Sequence, residues 1–347
     1  FLQVVSGEQY QRAAADNRTR EVVTPAVRGL ILDSQGRPLA QNRTTIVVSV
    51  DRTAVGKLKD DGAAVIKRLS KTLGMRESKV KGSLTLCGSK GAAKAPVCWN
   101  GSPYQPIPIA KDVSTDVALS IMERRELYPG VTAELSTVRD YPAPGGAKSA
   151  HVLGYLGPVS DKEYSDGSSG FRRTDLIGRA GLEATYDTYL RGIPGFKSLA
   201  VNNAGSVTGT VETQDATPGD YVVTNLDARV QSVAEKALKT QIMAARAGKT
   251  YNCDGGCRAD SGSVVVLNAK TGAVVAMASY PSYDPNVWVG GVSQKEYRSL
   301  TDPSSNTPLL SRAWAGEYIP ASTFKVISTA AAVRAGESVN SLYECAR

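Results

Sequence analysis

Two residues near the end of the chain have the types and the spacing of a catalytic pair. Ser322 and Lys325 lie three positions apart in the stretch YIPASTFK, Tyr318 to Lys325. Residues i and i+3 share one face of a helix, so the hydroxyl and the amine would lie side by side. A hydroxyl is a poor nucleophile unless a base takes its proton, and a lysine in a partly dry pocket can be that base. The alternative is an ordinary helix start with a capping serine and a solvated lysine, because the SxxK spelling alone is weak.

A helix must position this pair, and the sequence around it predicts one. VISTAAAVRA follows Lys325, is rich in alanine and contains no Gly or Pro before Gly336. Pro320 stands where helices commonly start. Further upstream, ARVQSVAEKALKTQIMAARAG predicts a long amphipathic helix, and SGSVVVLNAKTGAVVAMASYPSYDPN predicts two apolar strands around an NAKTG turn. Helix, paired strands and SxxK helix together predict a layered α/β domain.

The earlier part of the chain predicts a separate α+β unit of short strands and helices. A turn at Thr217-Pro218-Gly219-Asp220 marks a change of composition, so we expect domains at residues 1–217 and 218–347. The predicted elements of the first domain are an amphipathic helix at the start, a hairpin within residues 27–51 that uses Gly29 and Gly36, a helical pattern over residues 54–82, a helix from Ser114 preceded by a strand, a strand from Val131 to Val138, a helix near residue 151, and a helix between Gly178 and Gly192 followed by strands.

The charge of the chain predicts an anionic neighbourhood. The 347 residues carry a formal net charge of +8, and 41% of them are hydrophobic, which is typical of globular domains. A membrane surface, an acidic wall polymer and nucleic acid all fit this charge. Nucleic acid is the weakest of the three, because no basic stripe interleaved with aromatic residues is visible.

The five cysteines indicate an oxidising compartment. Cys87 and Cys98 flank one loop-like segment, and Cys253 and Cys257 flank another. Two locally placed pairs in turn-rich segments predict two small disulfides. A zinc site with four thiolate ligands is the alternative, although the spacings differ from the usual paired knuckles. Cys345 is left over, and we expect its partner to lie beyond Arg347.

His151 is the only histidine in the sequence. It has no obvious Ser and Asp partners nearby, although sequence distance alone does not exclude a triad. A structural histidine with satisfied hydrogen bonds is the favoured interpretation.

Several motifs, taken in order, resemble those of the class B penicillin-binding proteins, and most closely those of the elongation-type penicillin-binding protein 2 group. Each motif is weak alone, but their joint order is specific, and the resemblance covers nearly the whole chain. They are RGLILDSQGRPLA (Arg28 to Ala40), HVLGYLG (His151 to Gly157), GRAGLEATYDTYLRG (Gly178 to Gly192), VNNAG, TNLD with Gln231, SYPSYDPN (Ser279 to Asn286) and NTPLLSRAWAGEYIPASTFK (Asn306 to Lys325).

The resemblance implies a fold and a function. Residues 1–217 would form a non-catalytic α+β pedestal, or dimerisation-type domain, with an outer lobe at about residues 55–145. Residues 218–347 would begin an α/β transpeptidase domain of the serine β-lactamase-like class. Ser322 would be the acylated nucleophile and Lys325 its base in a peptidoglycan D,D-transpeptidase of cell-wall elongation that binds β-lactams. No cofactor or metal is implied.

The resemblance also implies partners and a location. Stem peptides of peptidoglycan, β-lactams, a membrane glycosyltransferase of the SEDS class and other elongation-machinery proteins would be the partners, and no nucleic acid is expected. The sequence contains no transmembrane run, and its first residues begin abruptly and apolar. We therefore expect a single-pass membrane anchor before Phe1 and an extracytoplasmic domain after it.

The sequence departs from the family pattern after Lys325. The family has a SxN motif and a KTG strand well downstream of SxxK, and only 22 residues follow Lys325. Three segments resemble these motifs in their letters but lie before Ser322 or too close after it: Lys270-Thr271-Gly272, Ser304-Ser305-Asn306 and Ser338-Val339-Asn340. We interpret them as turn or helix-end residues. We therefore expect a truncated chain that is inactive alone. Ala321 also stands where relatives often have glycine. The alternative function is a catalytically silent penicillin-binding scaffold or β-lactam sensor.

Overall fold

The computed structural model describes residues 19–92, 98–99, 106–167, 171, 175–201, 207–250 and 253–342. The predicted opening helix, most of VNNAG and Cys345 lie outside these residues. The described strands are β1 (Thr19–Thr24), β2 (Ile31–Leu32), β3 (Pro38–Val50), β4 (Ile107–Ala110), β5 (Val131–Asp140), β6 (Leu156–Pro158), β7 (Leu176–Gly178), β8 (Gly195–Val201), β9 (Val207–Gln214), β10 (Val222–Val223), β11 (Gly262–Leu267) and β12 (Val274–Tyr280). The described α-helices are α1 (Arg52–Val55), α2 (Ala63–Thr72), α3 (Glu77–Ser83), α4 (Thr115–Met122), α5 (Ala150–Leu153), α6 (Asp161–Asp166), α7 (Gly181–Thr185), α8 (Asp187–Leu190), α9 (Ala228–Arg246), α10 (Gln294–Thr301) and α11 (Lys325–Arg334).

Strand β3 organises the first half of the molecule. It pairs antiparallel with β2 through the predicted hairpin, and with β4 and β5 further along its length. Asp33 begins the tight turn, in which Gly36 has a φ of 76° that favours glycine. Gly29 approaches a neighbouring backbone so closely that a Cβ atom would lie 1.9 Å from the carbonyl oxygen of Asp220. The hairpin prediction, including both glycines, is confirmed.

Short helices cover one face of this sheet and form the first core. The pattern over residues 54–82 becomes three helices, α1, α2 and α3. Gly62 and Gly74, at φ values of 76° and 63°, lie at the ends of α2. Helix α2 turns the apolar residues of this pattern inward, since Val65, Ile66 and Leu69 are buried. They pack against β3, β4, α4 and β5 in one contiguous cluster. Helix α4 begins at the predicted residue, because the Ser114 hydroxyl caps it.

A second core joins residues from both sides of the predicted domain boundary. Ile31, Leu39, Leu153 and Leu190 come from before residue 217, and Leu226 comes from after it. The two-residue strand β10 pairs in parallel with β2, so the same connection is also made through the backbone. The helix predicted between Gly178 and Gly192 forms here as two short helices, α7 and α8, which meet at Tyr186.

The last part of the chain has the predicted order of elements. Helix α9 lies against the antiparallel hairpin of β11 and β12, and its residue Ala234 packs on Ala276 and Ala278. Aromatic residues around Trp288 form a further cluster with Tyr297 and Leu300 of α10. The mixture of helices and sheets agrees with an α+β unit followed by the start of an α/β unit.

Both predicted disulfides are present. Cys87 bonds to Cys98, and Cys253 bonds to Cys257, with Cα–Cα distances of 5.0 Å and 5.2 Å. The four thiols are therefore bonded in pairs, and this arrangement replaces the zinc alternative. Among the described helices, none combines the length and the apolar character needed to cross a bilayer.

Candidate active site and the network that supports it

Ser322 and Lys325 lie at the start of a helix, as predicted. Residues Ala321–Phe324 form one 3-10 turn, which continues directly into α11 at Lys325. The backbone N–H of Lys325 donates to the carbonyl oxygen of Ser322. Both residues are exposed, and the start of this helix has no side-chain cap, so the capping role for Ser322 is not realised. The arrangement therefore leaves a hydroxyl and an amine accessible within one helical turn.

The residue before the serine has a strained backbone. Ala321 has a φ of 46°, in the left-handed region that favours glycine. A residue with a Cβ atom costs about 1–2 kcal/mol there. Glycine would adopt this conformation without that cost. The conformation of Ala321 also fixes the direction in which the chain enters the 3-10 turn.

The segment before the SxxK helix is held by a buried arginine. The guanidinium of Arg312 donates to the carbonyl oxygens of Asn306 and Thr307, each at 2.5 Å, and of Leu310 at 2.9 Å. The hydroxyl of Ser279, at the end of β12, accepts from the backbone N–H groups of Arg312 at 3.1 Å and Ala313 at 3.2 Å. These contacts connect the β-hairpin to the segment that leads to Ser322.

His151 also contacts this segment. Its Nε2 lies 2.7 Å from the carbonyl oxygen of Pro308, and its ring packs edge-on against Tyr283 at 5.3 Å. Burial lowers the pKa of His151, which favours the neutral imidazole. The structure therefore supports the interpretation of His151 as a structural histidine with a satisfied hydrogen bond.

Two of the sequence motifs and strand β5 meet at one buried carboxylate, Glu183. Its side chain is fully buried and accepts from Arg28 Nε at 2.8 Å and Arg139 Nε at 2.7 Å. Arg28 also donates to Asp187 at 2.9 Å, and Arg139 donates to the carbonyl oxygen of Gly29 at 2.8 Å. A buried charge needs such partners, because leaving it alone in the interior is costly. This network fixes α7 and α8 against the hairpin and β5.

A second carboxylate connects the hairpin turn to helix α9. Asp33 is fully buried and accepts from Arg37 Nε at 2.7 Å and from the backbone N–H of Ala228 at 3.1 Å. Burial by itself raises the pKa of Asp33, but these hydrogen bonds outweigh it and lower the pKa. Arg37 also donates to Asp227, the N-cap of α9. The carboxylates lie at the helix N-terminus, where the helix dipole stabilises negative charge.

Two side-chain amides in the second half of the chain each form a pair of hydrogen bonds with the backbone of one distant residue. Gln231 accepts from the N–H of Met277 at 2.7 Å and donates to the carbonyl oxygen of the same residue at 2.9 Å. Asn286 forms the same pair of bonds with Tyr141, at 3.1 Å and 2.9 Å. The first pair attaches α9 to β12, and the second attaches the SYPSYDPN motif to the end of β5.

A cleft of about 480 Å³ lies away from this site, between β5, the antiparallel pair of β6 and β7, and residues 288–292. The rings of Tyr155 and Trp288 stack in it at 3.7 Å. Lys111 reaches the rim and donates to the carbonyl oxygen of Asn286 at 3.1 Å, and burial lowers its pKa. Among the residues that the structure describes, none after Val292 lines this cleft, so it is separate from Ser322.

The three segments that read KTG or SxN outside the family's order lie in turns or beyond a helix end, as we expected. Lys270, Thr271 and Gly272 form the β11–β12 turn, where the Asn268 side chain accepts from two backbone N–H groups. Residues 303–305 form a 3-10 turn that ends at Asn306 in a left-handed conformation. Residues 338–340 lie just beyond the end of α11 at Arg334.

Sequence reasoning missed the roles of Arg28, Arg139, Glu183 and Arg312. Arg28, Glu183 and Arg312 are charged residues within apolar or glycine-rich stretches, such as the Glu in GRAGLEATY, whereas Arg139 lies in the mixed stretch STVRDY. A charge in that setting is a sign of a buried ion pair, although it does not identify the partner.

Comparison with known proteins agrees with these features. The penicillin-binding protein dimerisation domain matches residues 23–224, and the penicillin-binding protein transpeptidase domain matches residues 262–346. The peptidoglycan D,D-transpeptidase MrdA of Escherichia coli K12 is 30% identical over 341 residues, which are 96% of this chain and 48% of that protein. Penicillin-binding protein 3 of Bacillus subtilis is 30% identical over 324 residues, covering 93% of this chain and 42% of that protein.

Solved structures agree in fold. A complex between penicillin-binding protein 2 and MreC from Helicobacter pylori matches with a TM-score of 0.68 and 23% identity, over 91% of this chain and 53% of that chain. The chain spans about half the length of the curated relatives it matches. The fold is therefore a pedestal dimerisation domain followed by transpeptidase-domain sequence, and the chain belongs to the class B penicillin-binding proteins.

Proposed function

We propose that this chain contributes the pedestal and the nucleophile helix of a peptidoglycan D,D-transpeptidase of cell-wall elongation. The observation that carries the proposal is the pair Ser322 and Lys325, exposed within one helical turn in a chain of this family. The similarity to proteins named peptidoglycan D,D-transpeptidase supports the reaction class.

The chemistry would follow acyl transfer in two steps. The Ser322 oxygen attacks the carbonyl carbon of the D-alanyl-D-alanine bond, and the Lys325 amine takes the hydroxyl proton. The C–N bond then breaks, terminal D-alanine leaves with that proton, and an ester joins the stem peptide to Ser322. An amine of a second stem attacks this ester and forms the cross-link, the C–O bond to Ser322 breaks, and a proton from that amine passes to the Ser322 oxygen. The backbone N–H of Ser322 is a candidate oxyanion donor.

Labelling with a fluorescent penicillin tests the nucleophile. The native protein should form a covalent adduct, and Ser322→Ala should abolish it. Ser328→Ala is the matched control, because Ser328 lies on the same helix and its hydroxyl donates to the carbonyl oxygen of Phe324, within the helix itself. A native protein that takes no label would refute the proposal. A labelled protein without transpeptidation would instead indicate the silent scaffold or β-lactam sensor.

The domain division and the partners also belong to this proposal. The pedestal would comprise residues 1–217, with an outer lobe at about residues 55–145, and the transpeptidase part would begin at residue 218. A single-pass anchor would hold it at the outer face of the cell membrane, beside a SEDS-class glycosyltransferase and other elongation-machinery proteins. The similarity to a penicillin-binding protein 2 solved with MreC supports the choice of that machinery. Co-purification of the native protein from membranes, with and without the pedestal, would test these partners.

A further inference from the structure

The positive charge of the chain is concentrated in one part of the outer lobe. Residues 52–92 contain ten basic and three acidic residues, a net charge of +7, whereas the rest of the sequence contains 31 basic and 30 acidic residues. All ten basic side chains are exposed. We call them the basic surface; they are Arg52, Lys57, Lys59, Lys67, Arg68, Lys71, Arg76, Lys79, Lys81 and Lys90.

The helices of the lobe hold part of this surface in a fixed arrangement. Helix α2 buries Val65 and Leu69 against the sheet, so Lys67, Arg68 and Lys71 lie on its outer side. Lys67 and Lys71 are one turn apart, at about 6 Å along the helix axis. Because the fold has already ordered the backbone, a partner would need to order only the side-chain ends.

Helix α3 continues the basic surface. Val80 of α3 and Leu69 of α2 belong to the same buried cluster, so the two helices present their cations in one neighbourhood. A hydrogen bond from Lys81 lowers the pKa of Glu77 most strongly, and the charge of Lys67 on α2 also lowers it. Among the described residues, the Lys81–Glu77 contact at 2.6 Å is the ion pair that involves this surface. The positive charge therefore remains largely uncompensated within the described part of the lobe.

The composition of the basic surface indicates the kind of partner. Seven of its ten residues are lysines, which are compact point charges without the planar geometry that arginine offers. Within residues 52–92 no large apolar side chain is exposed, so nothing described there would insert between lipids. Exposed aromatic rings, on which bases could stack, are equally absent from those residues. These properties favour a flexible polyanion that is bound by charge alone.

We propose that the basic surface binds a linear, phosphate-bearing polymer of the cell envelope and so holds the outer lobe against the wall. The location in the envelope rests on the proposed function, whereas the binding itself depends only on the lobe. Counterion release would drive this association. With about six contacts and a slope of about −0.7 per contact, affinity should fall about 300-fold between 50 and 200 mM salt.

Polyphosphate binding to the whole chain, measured over a range of salt concentrations, tests the proposal. The triple variant Lys67→Glu, Arg68→Glu, Lys71→Glu should lose at least about tenfold in affinity, and its salt slope should become shallower by about 2. The matched control is Arg229→Glu, Lys236→Glu, Lys239→Glu, which reverses three exposed cations on α9 and gives the same net charge. The control should bind within about threefold of the parent chain.

Four results would overturn the proposal. They are no binding at 50 mM salt, an equal loss in the two triple variants, tighter binding to single-stranded DNA than to polyphosphate, and binding through these residues to phosphatidylglycerol vesicles but not to polyphosphate. The Ser322→Ala variant should bind polyphosphate normally. A failure of the transpeptidase proposal is therefore distinguishable from a failure of this one.

Discussion

Replacing Glu183 by glutamine should destabilise the protein strongly, because the carboxylate is the shared partner of two buried arginines. The substitution preserves size and shape but removes the negative charge. Arg28 would keep its contact with Asp187 at 2.9 Å. Among the described residues, Arg139 would keep only neutral partners, the carbonyl oxygen of Gly29 and the side chain of Asn42.

The loss of stability depends on how many of the two arginines lose their charged partner. Removing one partner of a buried ion pair typically costs about 3–5 kcal/mol. Since Arg28 remains paired, we expect the lower end, about 3 kcal/mol. Unfolding entropy of about 2.1 cal/mol/K per residue gives a decrease in Tm of about 7 °C for a cooperative unit of about 200 residues, and about 4 °C for the whole chain.

Thermal unfolding followed by circular dichroism measures this change. Glu212→Gln is the matched control, because Glu212 is exposed on β9 and the substitution is chemically identical. A double-mutant cycle with Arg139→Gln should give a combined loss about 1–3 kcal/mol smaller than the sum of the single losses. A Glu183→Gln protein whose Tm matches that of the Glu212→Gln control would refute the argument.

Three further predictions concern the site and its supports. Ala321→Gly should slow amide hydrogen exchange in the 3-10 turn that contains Ser322, because relief of the left-handed strain is worth about 1 kcal/mol, while Ala330→Gly within α11 should speed it. Gln231→Leu should cost about 3 kcal/mol in urea unfolding by leaving the Met277 backbone without partners, and Gln241→Leu, at an exposed position of the same helix, should cost little. Because burial lowers the folded-state pKa of His151, the unfolded chain binds more protons. The free energy of unfolding should therefore decrease as the pH falls from about 6.5, the unfolded-state pKa, to the lower folded-state pKa. His151→Gln should remove this dependence from urea midpoints measured between pH 5 and 7.

Local features of the fold were predictable because neighbouring residues determine them. The capping serine at position 114, the turn glycine at position 36 and the NAKTG turn each act within a few residues of their own position. The cysteine pairs belong to the same class, with separations of 11 and 4 residues. In each case the sequence contained both partners of the interaction within one short window.

The rest of the fold depends on partners that are distant in sequence. The three helices of residues 52–83 share one apolar periodicity, and residues in the left-handed conformation between them, Asp61, Gly62 and Gly74, divide it. Glu183 meets Arg28 and Arg139 across 155 and 44 residues, a proximity that no local pattern encodes. The candidate nucleophile was located by its motif, whereas the strain at Ala321 and the contacts of Arg312 became visible only in three dimensions.

The separation of Arg28 from Glu183 also has a consequence for the order in which the protein can fold as it is made. Synthesis proceeds at about 5–20 residues per second, so Glu183 is added roughly 8–30 seconds after Arg28, which lies 155 residues earlier. The delay between the synthesis of β2 and that of β10, its parallel neighbour, is longer still. The hairpin can form early, but its buried face cannot close until residues beyond 220 have left the ribosome. A nascent chain arrested before Glu183 should therefore remain sensitive to protease around Arg28, whereas one arrested well after β10 should be protected there.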